Sequence, residues 1–335
     1  MPEKRDIDRK REGAFTIEIC DPDDKTPIRL GFSDSQNFYT IKDKSIYAIK
    51  LADDIDPQRT NIHVPNTHQK ILEYGFENDL VGRILLLAHK LFVESRLGRD
   101  FRCKEALSIS LEGTRLLLEM REIHAQLHSD EKVIIEGGFL PDKGRSQNIP
   151  TVKNLDTRVK IYIRKADRVR ELIIEIFKLA YSAGNDKKTL ENLKASITEK
   201  HGEESDFVKY FNENEVFLRF FRNLRNGDEH PKEKERTVIR DFNLRPEGNC
   251  DPPTIELIHP LTPQEQTPIS AFMEQVNTTL VNIFECVIFM VCRNNMGNFG
   301  NFECEITEMP LERRHHRDTR FCYAMKLNGQ WIPLG

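Results

Sequence analysis

The sequence predicts a mainly α-helical protein with small β elements at its N- and C-terminal ends, and three observations carry that expectation. Apolar residues recur at helical spacing through the middle of the chain. Strand-like alternation is confined to residues 14–55 and to the stretch after Gly297. The two segments that interrupt the helical pattern, 135–152 and 241–266, carry Gly and Pro and show no period, so they predict connecting loops.

Residues 1–66 form a β-rich extension: Phe15, Ile17 and Ile19, then Tyr39 and Ile41, then Ile46, Tyr47 and Ile49 alternate between polar turns. A helical bundle is predicted over 67–295. Its first two helices carry Ile71, Leu72, Leu80, Ile84, Leu87 and Leu91, then Leu107, Leu111, Leu116, Leu118, Ile123 and Leu127. A third follows Asp156, with Val159, Tyr162, Ala166, Val169, Ile173, Ile176 and Ala180 spaced three and four apart, and Gly184-Asn185 to end it. Residues 204–226 carry an aromatic stripe through Phe207, Tyr210, Phe211, Phe217, Leu218, Phe221 and Leu224. The last helix is expected to open with Thr267 as N-cap and Pro268 at its first position, and to run through Phe272, Val276, Leu280, Phe284 and Val291. Residues 296–335 make a β-hairpin extension turning at Asn328-Gly329, and the two chain ends are expected to share one small sheet.

At 335 residues the chain can bury a substantial core. Its 50 basic and 54 acidic residues give a formal charge of -4, so a nucleic-acid site must be a local patch. The apolar runs Ile84 to Val93 and Val281 to Cys292 are interrupted by polar or charged residues and too short to span a bilayer, so no membrane association is expected. No apolar segment backs the charged N-terminus, and the seven cysteines include no C-x-x-C. Those features predict a cytoplasmic protein with reduced thiols and neither a metal nor a cofactor.

Common catalytic signatures are missing: no Walker A loop, no G-x-G-x-x-G after a strand, no G-x-S-x-G and no H-E-x-x-H. His124 and His128 have the spacing at which two imidazoles share a metal, but no third ligand accompanies them. They read as surface or partnered histidines. His315 and His316, among Arg313, Arg314 and Arg317, read as a solvated basic turn. Lys160, Arg164 and Arg168 stack along one face of the third helix. That stripe is either a phosphate-contacting track for a polyanion or a solvated face partly compensated by Asp156, Asp167 and Glu171.

The most suggestive segment is Arg225-Asn226-Gly227-Asp228-Glu229-His230. Leu218, Phe221 and Leu224 define a buried stripe, and Arg225 emerges at its edge, where a charge needs an anionic partner or a crevice. Asn226-Gly227 is expected to stop the helix, and Pro231 biases His230 towards an extended backbone. An arginine followed after four to six residues by a histidine, with a polar residue directly after the arginine, resembles the HEPN superfamily of helical bundles. Arg225, Asn226 and His230 match as R-N-x-x-x-H. Arg83 with His89 and Arg121 with His128 satisfy the bare spacing, but lie inside continuous helical patterns and lack the asparagine.

The resemblance, which covers about 68–295, implies a HEPN-type bundle with metal-independent endoribonuclease activity. It implies His230 as acid and base, Arg225 as the clamp on the phosphate and Asn226 as a positioner. Arg222, Lys160, Arg164 and Arg168 would then hold the RNA. One arginine and one histidine are few groups for phosphoryl transfer, so a two-fold homodimer with a shared cleft is expected. The resemblance further implies a role in toxin-antitoxin or phage-defence systems, with an antitoxin or regulatory protein as partner. Two other readings stay open. One is a non-catalytic helical adaptor for a nucleotide, nucleic acid or protein. In the other, Arg225 is a cation at a helix C-terminus and His230 a loop residue.

Overall fold

The computed structural model describes residues 4–334 except 14–17, 20, 35–36, 138–145, 147, 182–188, 248–249, 298 and 301. The chain divides into two compact units. One comprises Met1–Glu94, Arg102–Ser108 and Asn301–Gly335, the other Ser95–Phe101 and Ile109–Gly300. In chain order the first unit carries α1 (Asp6–Glu12), β1 (Leu30–Ser33), β2 (Phe38–Ile41), β3 (Ile46–Lys50), α2 (Ala52–Ile55) and β4 (Thr67–Leu72), then a π-helical turn (Val81–Leu86) continuing as α3 (Leu87–Leu91). Helix α4 (Cys103–Gly137) begins in the first unit and continues in the second. The second unit goes on with α5 (Leu155–Tyr181), α6 (Leu190–His201), α7 (Asp206–Glu229), β5 (Arg236–Arg240), β6 (Asn243–Leu244), β7 (Cys250–Asp251), β8 (Thr254–Ile258), β9 (Gln264–Pro268) and α8 (Ile269–Asn294). Strands β10 (Cys304–Glu308), β11 (Phe321–Leu327) and β12 (Gln330–Pro333) return to the first unit.

With 50% helix and 19% strand in several small sheets, the protein is mixed α/β, and the mainly α bundle expected from the sequence is wrong. The difference lies in β5 and in two further segments. Residues 241–266 are expected to be a loop because prolines crowd them, yet β8 fits between Pro253 and Pro260 and lies at the centre of an antiparallel sheet, order β5-β8-β9. Its alternating Ile255 and Leu257 are buried. Thr67–Leu72 is expected to be helical and is instead the fourth strand of the N-terminal sheet, paired with β3. Gly75 follows it where a Cβ would lie 2.2 Å from the carbonyl oxygen of Lys42, so the chain passes there against another backbone segment.

In the first unit β1-β2-β3-β4 is an antiparallel meander whose Ile41, Ile46 and Ile49 are buried. The C-terminal strands form their own sheet, β10-β11-β12, rather than sharing one with the N-terminal strands as expected. Its hairpin turns at Asn328 (φ 51°) and Gly329 (φ 81°), the left-handed pair a two-residue turn requires. The Tyr323 hydroxyl donates to the Leu91 carbonyl across 2.7 Å and so fastens β11 to α3. Phe15, Ile17, Gly184 and Asn185, with Gly138, Pro141 and Gly144 of the first predicted loop, lie outside the described residues.

Helix α5 is the axis of the second unit, in contact with α6, α7 and α8. Val159, Tyr162, Ala166, Val169, Ile173 and Ile176 of its predicted stripe are all buried. Helix α8 begins at Ile269, while Thr267 and Pro268 belong to β9, an edge strand in which a proline costs no ladder bond. By length and composition alone α8 could cross a membrane, but 56% of its most apolar window is buried within the protein.

The α4–α8 contact is set by a glycine. A Cβ on Gly113 would fall 2.0 Å from the buried Phe284 ring, whereas one on Gly137, in the last turn of α4, would meet nothing. Gly113→Ala is therefore expected to lower stability by about 1–3 kcal/mol through overpacking, and Gly137→Ala to be neutral or stabilising by up to about 1 kcal/mol. Urea unfolding midpoints check both, and equal midpoints would rule out a tight contact at Gly113.

Candidate functional site

Helix α7 starts at the Ser205 cap, whose hydroxyl accepts from the Val208 amide, and buries Phe207, Phe211, Leu218, Phe221 and Leu224. Contrary to the sequence expectation, Asn226-Gly227 does not stop it, and the helix continues to Glu229. Gly227 serves packing: a Cβ there would sit 3.0 Å from the Thr237 amide nitrogen of β5. The Thr237 hydroxyl adds a 2.8 Å bond to the Leu224 carbonyl. The last turns of α7 thus lie directly on the sheet that the sequence failed to reveal. His230 is the C-cap (φ -134°, ψ 59°), its amide still donating to Asn226 O. Pro231 then ends the helix, because it has no N–H to donate and disfavours helical backbone before it.

Arg225 and His230 therefore stand at the last turn and the cap of one helix. His230 is exposed. The Arg225 side chain is 40% exposed and meets two carboxylates, Glu229 one turn on at 2.7 Å and Asp167 of α5 at 3.8 Å. Asp167 is buried and holds Arg170 at 2.6 Å. Such a carboxylate needs full pairing to offset its desolvation, and between two arginines it has it.

The structure joins Arg164 and Lys160 of the predicted stripe to this helix end. Glu229 takes Arg164 on one oxygen at 3.3 Å and Arg225 on the other at 2.7 Å. Lys160 lies 2.8 Å from Asp156 and 3.7 Å from Asp228, and its bond to Asp156 holds its pKa above the usual lysine value. Arg168 belongs elsewhere, paired with Glu112 of α4 at 3.1 Å and with Glu175 at 2.9 Å. Burial opposes its charge, but hydrogen bonds from Glu112 and Glu175 outweigh that and raise its pKa. Arg222 is exposed, and Asn226 is half-buried on the turn facing β5. Sequence reading took Asp167 only as a compensator of the stripe and missed its place between Arg170 and Arg225, as well as the bridging role of Glu229. A helix carried past Gly227 would have shown Glu229 four residues from Arg225.

The other histidine candidates lie apart from this helix end in the chain. The rings of His124 and His128 are 6.1 Å apart, and burial with the neighbouring His128 pushes the His124 pKa down. Among the described residues no group of three His, Cys, Asp or Glu could hold a metal ion. His316 is not in a solvated turn. It is buried against Phe76 and Gly82, its Nδ1 accepting from the Asp318 amide at 3.1 Å.

Burial raises the pKa of Asp228 despite Lys160 and Arg164 nearby. A raised folded-state pKa means the folded protein holds this proton more tightly than the unfolded chain does. Stability from this group is therefore present below the unfolded value of about 4 and is lost as pH rises through the folded pKa. Asp228→Asn removes that loss. The variant is expected to melt above the parent at pH 7 and with it below about pH 4. A lower melting temperature at pH 7 would show that the carboxylate is stabilising.

A scan of the chain against protein-family models, a search of curated proteins and a search of solved structures each return no match.

Proposed function

We propose that the end of α7 is an RNA-cleaving site working without a metal, with Arg225 and His230 as its catalytic residues. One observation carries the reading: a solvent-facing histidine caps the helix whose last turn presents a half-exposed arginine 3.8 Å from a buried carboxylate. In the reaction the ribose 2′-oxygen bonds to the adjacent phosphorus while the bond to the 5′-oxygen breaks. A histidine accepts the 2′-hydroxyl proton and a histidinium protonates the departing oxygen, leaving a 2′,3′-cyclic phosphate and a 5′-hydroxyl. Arg225 neutralises the phosphoryl oxygens, and Asn226 and Arg222 position the strand.

One histidine cannot give and take a proton in the same step. The reading therefore includes a two-fold homodimer in which His230 of the partner subunit supplies the second imidazole. A role in phage defence or toxin-antitoxin growth arrest, under an antitoxin or regulatory protein, extends the same proposal. A second reading also has an observation in its favour. Lys160, Arg164, Arg168 and Arg225 each already have a carboxylate within bridging distance, which suits an adaptor that recognises a partner without cleaving RNA.

The discriminating experiment is cleavage of single-stranded RNA by the purified protein in EDTA. His230→Ala and Arg225→Ala are each expected to reduce the rate at least about a hundredfold, with melting temperatures close to the parent because Asp167 keeps Arg170. Full activity in either variant would eliminate the site, and RNA binding without any cleavage would favour the adaptor. Sedimentation at micromolar concentration is expected to show a dimer. A strict monomer that still cleaves would refute the shared site.

A further inference from the structure

Glu229 occupies an unusual position among the charges at the end of α7. Its two oxygens are divided between two guanidiniums on different helices, Arg164 of α5 and Arg225 of α7. This is the arrangement in which a pair of arginines binds one phosphate group, each facing its own oxygen. The two carboxylates on Arg225 also differ in character. Asp167 is buried and paired with Arg170, whereas Glu229 is the last residue of the helix. Arg164 is 59% exposed, so one side of this bridge is open to solvent. Displacing Glu229 would free both arginines without disturbing the anchor beneath Arg225.

We propose that Glu229 is a built-in stand-in for a substrate phosphate, and that Arg164 and Arg225 together form a two-arginine clamp for one phosphodiester of RNA, closed at rest by this carboxylate. The inference rests on the RNA-cleaving reading and adds to it a second phosphate ligand and a competing internal anion. In this arrangement Arg164 is a binding residue, and Glu229 sets how readily the strand enters.

The test measures binding of a 2′-O-methyl oligoribonucleotide, which lacks the attacking hydroxyl and cannot be cleaved. Glu229→Gln removes the charge at constant shape, and Glu229→Ala serves as a second variant, both checked by thermal melting. Each is expected to bind about tenfold more tightly than the parent, and the slope of log affinity against log salt is expected to steepen by about 0.7 because one more phosphate is neutralised. Adding Arg164→Ala to Glu229→Gln is expected to erase the tighter binding. Unchanged or weaker binding in the Glu229 variants, or an improvement that survives the loss of Arg164, would overturn the clamp. The two proposals fail separately. Cleavage by the parent with no improved binding in the Glu229 variants leaves the nuclease and removes the clamp, whereas an Arg164-dependent improvement in a protein that never cleaves leaves the clamp and removes the nuclease.

Discussion

The second unit depends on burying α5 around more than half of its circumference, against α6, α7 and α8 at once. A helix so enclosed cannot keep all its polar residues in water. Asp167 and Arg170 lie within the enclosed arc, three positions apart, so each comes with its counter-ion at 2.6 Å. Removing either partner would leave the other with only a more distant counter-ion, Arg225 at 3.8 Å from Asp167 or Glu171 at 3.4 Å from Arg170, and an underpaired buried charge is costly. Arg225 lies on the outer side of this pair, so the guanidinium at the end of α7 is oriented by the same packing that forms the core.

The same logic governs the surface charges. The sequence displays Lys160, Arg164 and Arg168 as an unbroken basic stripe because helical spacing is a local property. Some of their partners lie on α5 itself, Asp156 and Glu175, and others come from elsewhere: Glu112 from α4, Asp228 and Glu229 from the end of α7. Ion pairs that are this exposed contribute little stability individually, typically under about 1 kcal/mol. Their effect is on the electric field, since a stripe that reads as a cationic track is locally compensated and presents fewer free charges to a polyanion than its composition suggests.

The elements legible in the sequence are those whose pattern outlasts several turns or whose turn chemistry is unambiguous. The stripe of α5, the aromatic face of α7, the length of α8 and the hairpin at Asn328-Gly329 all belong here. The sheet β5-β8-β9 does not, because each strand is only five residues long and two of them lie among prolines. Proline density signals a loop only where the prolines interrupt the alternation. In β8 they flank it, leaving Ile255 and Leu257 to face the core. Gly227 misleads as a helix stop for a similar reason. Glycine opposes helix formation through backbone entropy, but here close approach to Thr237 demands the missing side chain.

This places chemical meaning on the three residues between Asn226 and His230, which a bare arginine-to-histidine spacing leaves unspecified. Gly227 sets how deeply the helix end sits on β5. Asp228 is turned inward, where burial makes its charge costly and Lys160 only partly relieves it. Glu229 faces the two arginines. A helix that ended at Asn226 would have freed all three from these positions, and Arg225 would then have lost the i+4 carboxylate that helical geometry supplies. Because α7 runs on through Glu229, the last turn carries its own counter-anion for Arg225.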